Sequence, residues 1–413
     1  MRRSFPVCRS CGGEHLEMVM SLGHMPLANA LLMPQQLQEI EPKYPLDLVF
    51  CPRCTLVQIT ETVPPDLLFA NYVYFSSFSE TMLKDSEELA HRLITSRGLG
   101  EKDLVVELGS NDGYQLQFFV KKGIPVLGID PASNVARIAQ EKGIRTLCRF
   151  FGEELARELR EKGMCADIII AKNVLAHVAD LHGFLEGMRI LLRAGGTAVV
   201  EVPYLKDLID RREFDTIYHE HLCYFSLTAL DRLFRAHQMI LSDVERISMH
   251  GGSLRLSVSH EGEAEPSNSV GFLLCQEREW GVDTLESYLG FGREVENIRA
   301  SLRSLLQSLK DHGKRLAAYG AAAKGAVLLN YCGIGADLID FVVDLNPHKQ
   351  GLFLPGVHLQ ISSPSRLLEE MPDYTLLLAW NIADEIVRQQ TEYVRRGGRF
   401  VVPIPEPRVI GGG

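Results

Sequence analysis

The chain has no surplus of basic residues: 43 lysines and arginines stand against 53 acidic residues, a formal net charge of −10. It also lacks any basic run, which weighs against a charged face for nucleic acid, and no nucleic-acid partner is expected. A few local donors would still suffice for an anionic small substrate. Long apolar runs are missing as well. Arg2 and Arg3 at the N-terminus have no apolar stretch behind them, so no secretory signal is expected. The most membrane-like segment, Leu316 to Gly333, is interrupted by Lys324, Asn330 and glycines. It reads as strand, loop and helix rather than a span. No membrane association is expected, and the expected compartment is the cytoplasm. Low-complexity segments and short repeats are absent. A disulfide framework is disfavoured: nine cysteines is an odd number, and four of them form two C-x-x-C pairs in a chain without an export signal, a pattern that favours metal.

What is present is globular. A length of 413 residues, 46% apolar and 23% charged, accommodates two or three domains. Residues 1–65 hold the cysteine pairs and several Pro/Gly turns, and they read as a small zinc-binding domain. Beyond them lie the aromatic–serine cluster Asn71 to Ser77 and a polar, helix-compatible stretch from Ser79 to Ser96. In residues 66–250 short apolar runs (Leu104–Leu108, Val126–Ile129, Ile168–Ala171, Thr197–Val202) alternate with helical segments such as Asn134–Lys142 and Gly152–Lys162. This is the pattern of an α/β domain with a parallel sheet covered on both faces. Leu254 to Ser259 alternates apolar and polar, as a half-exposed antiparallel strand near a sheet edge does. In residues 284–312, Phe291, Val295, Ile298, Leu302, Leu305 and Leu309 repeat at helical spacing, with Gly313 placed to end the helix. Residues 251–413 end in a second, smaller doubly wound unit, with strands expected at Arg315–Ala318, Leu338–Val343, Tyr374–Ala379 and Arg399–Val402.

Cys8, Cys11, Cys51 and Cys54 form two knuckles separated by 39 residues. Four thiolates from two tight turns make a closed tetrahedral site suited to one structural zinc per chain, with no open position for a substrate. A redox role would need a thioredoxin-like unit beside a single pair. Farther on, Val105 to Gly113 is an apolar strand entering a glycine turn and then a helix. Glu107, Gly109, Asn111, Asp112 and Gly113 line that turn, where glycine lets backbone approach a ligand. The spacing lacks the second glycine that admits a dinucleotide pyrophosphate, and it is not a P-loop. Asp130, followed by Pro131, ends the next strand 21 residues after Gly109, where a carboxylate can accept ribose hydroxyls. Asn173 and His177 follow the third strand at the same carboxyl edge.

Tyr218-His219-Glu220-His221 concentrates ionisable groups. Adjacent His-Glu-His cannot all face one metal, and zincins need H-E-x-x-H. The chemical reading is a general base, a carboxylate that orients it and a phenol that stabilises negative charge; a polar loop packed under a strand is the plain alternative. Lys324, after the glycine turn of the last sheet, is either a phosphate donor or an ordinary surface lysine.

Taken in order, these motifs resemble a three-domain family of S-adenosylmethionine-dependent C-methyltransferases that act on nucleotide-linked keto-sugars of antibiotic biosynthesis. The resemblance rests on the cysteine knuckles, Tyr72-Val-Tyr74-Phe-Ser-Ser, Glu107-Leu-Gly109-Ser-Asn111-Asp112-Gly113 and Asn173-Val-Leu-Ala-His177. It continues in Tyr218-His-Glu220-His221, His250-Gly-Gly-Ser253-Leu-Arg255, Tyr319-Gly-Ala-Ala-Ala-Lys324-Gly325 and Trp380-Asn381. It implies a zinc-bearing N-terminal domain, a central class I methyltransferase (Rossmann-like) domain holding S-adenosylmethionine, and a C-terminal domain closing over the sugar nucleotide. It also implies His221 as base, with Glu220, Tyr218, His177 and an aromatic-cluster tyrosine, mapped to Tyr72 with Tyr74 close by. Methylation beside a ketone then runs through an enolate. Transfer to oxygen, or to carbon of a non-sugar acceptor in secondary metabolism, is the alternative. The protein is expected to act as a monomer or weak homo-oligomer.

Overall fold

A computed structural model describes residues 6–69 and 75–411. Tyr72 and Tyr74 lie outside the described residues. The N-terminal strands are β1 (Glu17–Met25), β2 (Tyr44–Phe50) and β3 (Val57–Ile59), all antiparallel. The central strands are β4 (Val105–Leu108), β5 (Val126–Ile129), β6 (Thr146–Leu147), β7 (Ala166–Lys172) and β8 (Leu192–Pro203). They are followed by β9 (Cys223–Tyr224) and by the hairpin β10 (Met239–Ile247) and β11 (Ser253–His260). The last group is β12 (Leu316–Tyr319), β13 (Val342–Val343), β14 (Ile361–Ser362), β15 (Tyr374–Leu377), β16 (Arg399–Val402) and β17 (Arg408–Ile410).

The central sheet runs β10-β11-β8-β7-β4-β5-β6, parallel from β8 to β6. Its order reverses at β4, which lies between β5 and β7, so the crevice at the carboxyl ends of β4, β5 and β7 is the place where such a sheet binds ligands. Each of these strands is apolar because helices cover both sheet faces. Val105, Val106, Ile168, Ile169 and Ile170 are all fully buried. The C-terminal sheet runs β14-β13-β12-β15-β16-β17, parallel except for β17, and forms the second doubly wound unit. Leu316 to Gly333 is β12, a loop and the helix Ala323–Cys332, as the sequence indicates. Among the described residues no helix is long and apolar enough to cross a membrane.

The long helix Glu286–Asp311 buries Phe291, Val295, Ile298 and Leu302, as its periodicity requires. Leu306 then takes over the fully buried position, leaving Leu305 and Leu309 partly buried at its margin. A helix drifts against any fixed spacing over seven turns, and the drift shows here.

One expectation needs correction. The segment Leu254 to Ser259 is not a half-exposed edge strand: β11 is hydrogen-bonded on both sides, to β8 and β10, and β10 takes the edge. The expected domain break at residue 250 therefore falls inside a hairpin of the central sheet. The alternation misleads because two of its three polar members, Arg255 and Ser259, are buried too. Arg255, 8% exposed, donates to Glu201 at 2.6 Å and to Asp85 at 2.7 Å, and Lys172 donates to Asp85 at 2.8 Å. Two cations and two carboxylates thus balance charge beneath the crevice. Removing one member strands a buried charge, so Arg255→Leu should cost roughly 3–5 kcal/mol in urea unfolding. A loss below about 1 kcal/mol would mean that Lys172 alone satisfies both acids.

Candidate active site and metal centre

The two knuckles bring their sulfurs together. Cys8 Sγ lies 3.3 Å from Cys54 Sγ, Cys11 Sγ lies 3.6 Å from Cys51 Sγ, and all four atoms fall within 4.8 Å of one another. A tetrahedral zinc with bonds near 2.3 Å needs sulfurs about 3.8 Å apart. The four cysteines fit that requirement, and three of them are buried.

The crevice begins where β4 ends. Gly109 and Gly113 both have positive φ, at 69° and 78°. Protein neighbours also demand them: a Cβ on Gly113 would lie 2.3 Å from Ile144 Cδ1, and one on Gly109 3.1 Å from Val174 Cγ2. Packing against Ile144 is thus a second reason for glycine at 113, beside the ligand approach expected from the sequence. Asp130 holds the turn by accepting from Asn111 N at 2.8 Å and from Ala132 N at 2.9 Å, which brackets Pro131. Each oxygen retains a second lone pair for a ribose hydroxyl. Asn111 Oδ1 accepts from Ser76 N at 3.0 Å, while Asp112 pairs with Lys142 at 3.1 Å and accepts from Ser77 Oγ. The serine end of the aromatic–serine cluster is thereby fastened to the turn.

Glu107 is fully buried, and neither carboxylate oxygen has a hydrogen-bond partner among the described residues. Burial raises its pKa well above the usual carboxylate value, against the opposing pull of Lys172. Asn173, at φ 54°, also leaves Oδ1 without a partner among the described residues. A buried acid with open acceptors suits a ligand bearing a sulfonium and an ammonium, so the residues fit S-adenosylmethionine.

The chemistry-bearing groups meet nearby. His221 Nδ1 donates to the carbonyl of Thr216 at 2.7 Å, and His221 Nε2 lies 3.0 Å from Tyr218 Oη. The His177 ring stands edge-on to His221, with centroids 4.8 Å apart. Desolvation lowers His177 to about 4, so it is neutral at pH 7. His219 turns away, to the carbonyl of Pro45 at 3.1 Å. Glu220 does not orient His221 as the sequence reading expected. Its Oε1 accepts from Asn29 Nδ2 at 2.7 Å, and the group that fixes the imidazole is the Thr216 carbonyl. Asn29 and Thr216 had no signal in the sequence, one being 191 residues away and the other acting through its backbone. Lys324 is only partly exposed. It lies over the Trp380 ring at 4.7 Å and counters the buried acids Asp215 and Glu213.

Three regions match described families: residues 8–69 a zinc binding domain, residues 81–239 a methyltransferase domain and residues 248–405 a C-methyltransferase C-terminal domain. The chain is 39% identical to the C-methyltransferase NovU of Streptomyces niveus over 409 residues, 99% of this chain and 97% of that protein. The protein belongs to this family of three-domain C-methyltransferases. The enzyme is an S-adenosylmethionine-dependent methyltransferase with one structural zinc. Among solved structures it is similar to an S-adenosylmethionine-dependent methyltransferase from Clostridium acetobutylicum (10% identity, TM-score 0.35, 44% of this chain and 92% of that one). It is also similar to the PH0226 protein of Pyrococcus horikoshii (15% identity, TM-score 0.37, 49% and 100%).

The methyltransferase should carry about one zinc per chain, and Cys51→Ser should lose both metal and stability, since binding energy at such a site is folding energy. Metal analysis of fresh wild type finding no zinc would refute the assignment. A pH dependence follows from Glu220, which burial raises to about 7. A raised carboxylate favours the fold when protonated, so its contribution is full below about pH 4.5 and is lost as pH climbs through 7. Glu220→Gln should flatten that loss, roughly 3 kcal/mol at most. Urea midpoints at pH 5 and pH 8 test this, and parallel profiles for the two proteins would exclude it.

Proposed function

We propose that this enzyme methylates carbon beside the ketone of a nucleotide-linked keto-sugar, with His221 as the base. The observation that carries the reading is the state of that imidazole. Nδ1 is committed to the Thr216 carbonyl, so the lone pair is on Nε2, and the Tyr218 hydroxyl donates to it at rest. When the acceptor arrives, Nε2 takes the α-proton and becomes a donor. The Tyr218 hydroxyl is then released to donate to the developing enolate oxygen, and the neutral His177 ring stands beside His221. General base action of this kind contributes about 10²–10⁴-fold. S-adenosylmethionine supplies the electrophilic methyl group. Glu107, Gly109, Asn111, Asp112, Gly113, Asp130, Pro131 and Asn173 are assigned to hold it, and Tyr72 is assigned to the reacting centre on resemblance alone.

A nucleotide on the acceptor is supported by the C-terminal sheet. At the end of β13, Asp344 accepts from Ala321 N at 2.6 Å and from Asn346 N at 2.8 Å, repeating the way Asp130 braces the cofactor turn. The same brace at the carboxyl edge of a second parallel sheet provides for a second nucleoside. A place in antibiotic biosynthesis rests on the family resemblance.

Proton removal needs no methyl group. Wild type given a nucleoside-diphosphate keto-sugar with S-adenosylhomocysteine in heavy water should wash deuterium into the α-carbon without methylating it. His221→Asn should lose exchange and methyl transfer together, by on the order of 10²-fold or more, while both ligands still bind. NMR of the recovered sugar is the measurement. Exchange at the wild-type rate in the variant would move the base elsewhere, and methylation without exchange in wild type would favour transfer to oxygen.

A further inference from the structure

The segment that fixes His221 is itself held from the C-terminal domain. Thr216 belongs to a single 3-10 turn, Phe214–Thr216, closed by Thr216 N to the Glu213 carbonyl at 3.1 Å and Ile217 N to the Phe214 carbonyl at 3.0 Å. In the middle of that turn is Asp215, fully buried. Its Oδ2 accepts a 2.6 Å hydrogen bond from the indole Nε1 of Trp380, which opens the 3-10 turn after β15. Lys324, at the start of the helix Ala323–Cys332, stacks on the opposite partner of that bond, the indole ring itself. Farther along the same helix, Tyr331 packs on Phe214 with ring centroids 5.3 Å apart. The C-terminal domain therefore grips two of the three residues of the turn. The third presents the carbonyl that sets the tautomer of His221.

We propose that Trp380 is a positioning residue for His221, acting through Asp215 and the carbonyl of Thr216, so that the base is set only while the C-terminal domain is seated. The proposal rests on the reading of His221 as base. A turn of three residues has few dihedrals with which to absorb a displaced Asp215, so losing the indole bond rotates the next carbonyl. A buried carboxylate deprived of its donor also has a strong incentive to move toward water. Small misplacements of an orienting group are expensive, because catalysis depends on near-attack geometry. The arrangement links acceptor binding to deprotonation: the domain assigned to the sugar nucleotide also completes the base.

The test begins with Trp380→Phe, which keeps an aromatic face for Lys324 and removes only the indole N–H. The sample is zinc-loaded full chain with S-adenosylhomocysteine, and the readout is the ¹⁵N spectrum of the His221 imidazole. Wild type should show the Nδ1–H tautomer alone. Trp380→Phe should populate the Nε2–H form to on the order of a tenth or more, as expected for loss of one charge-assisted hydrogen bond. Asp215→Ala should do the same, while Asp215→Asn, whose amide oxygen still accepts from the indole, should keep the wild-type tautomer. That rescue separates positioning from packing, and the Asp215 pair carries the test if Trp380→Phe does not fold. On an accepted keto-sugar, turnover of Trp380→Phe should fall about tenfold with the KM for S-adenosylmethionine unchanged. A wild-type His221 spectrum in Asp215→Ala overturns the proposal. Failure of His221→Asn to lose proton exchange would sink the base assignment instead, and the tautomer readout stands apart from that result.

Discussion

Two residues, Cys223 and Tyr224, leave the methyltransferase domain to pair with Gln58 and Val57, and this short ladder decides where the imidazole of His221 can stand. Just upstream, Leu222 is bonded on both sides: its carbonyl accepts from Ile59 N at 3.0 Å, and its N–H donates to the Ala176 carbonyl at 2.8 Å. His221 and His177 are thus sewn to one another through neighbouring backbone, and both are sewn to the zinc-bearing sheet. The metal reaches the chemistry by the same route. Arg9, between the first two cysteines, donates from its backbone to Gln58 at 2.8 Å and from its guanidinium to the carbonyls of Ile59 and Glu61. The knuckle clamps β3, β3 registers β9, and β9 sets the segment that ends in His221.

Buried acids are treated in three different ways around this frame. Glu201 and the half-buried Asp85 are paired with Arg255 and Lys172, which holds Asp85 below the usual carboxylate range, while desolvation still leaves Glu201 raised. Asp215 has one indole donor and the field of a lysine, and it settles at about 6, raised by desolvation. Glu107 has no hydrogen-bonding partner among the described residues, and desolvation dominates it. The least compensated acid is therefore the one in the cofactor crevice, where a cationic ligand would supply what the protein withholds. Stability is sacrificed at the position where binding can restore it.

The parts of this molecule legible in its sequence are those whose chemistry imposes a spacing. Four cysteines must come in close pairs to close a tetrahedron, and the helix Glu286–Asp311 must repeat its apolar residues to bury one face. Val105 to Gly113 must run from apolar strand to glycine because Ile144 and Val174 leave no room for a Cβ. Pairings between distant segments leave no such trace. Arg255 looks solvent-facing because its partners come from residues 85 and 201, and Asn29 is one polar residue in a short loop until the fold delivers it to Glu220. Thr216 acts through a carbonyl, which any residue would supply, so sequence assigned its task to the adjacent carboxylate.

The antiparallel sheet around the cysteines has a further consequence for biosynthesis. Its first three strands are complete by residue 59, but the fourth is not made until residue 223. As the chain leaves the ribosome, β3 presents an open hydrogen-bonding edge, carrying the wholly buried side chains of Val57 and Ile59, for the time needed to synthesise some 160 further residues. An uncovered apolar edge is a template for pairing with another chain. Expressed by itself, the cysteine module would keep that edge permanently, so it is a poor candidate for an independent domain despite its own metal and its own core.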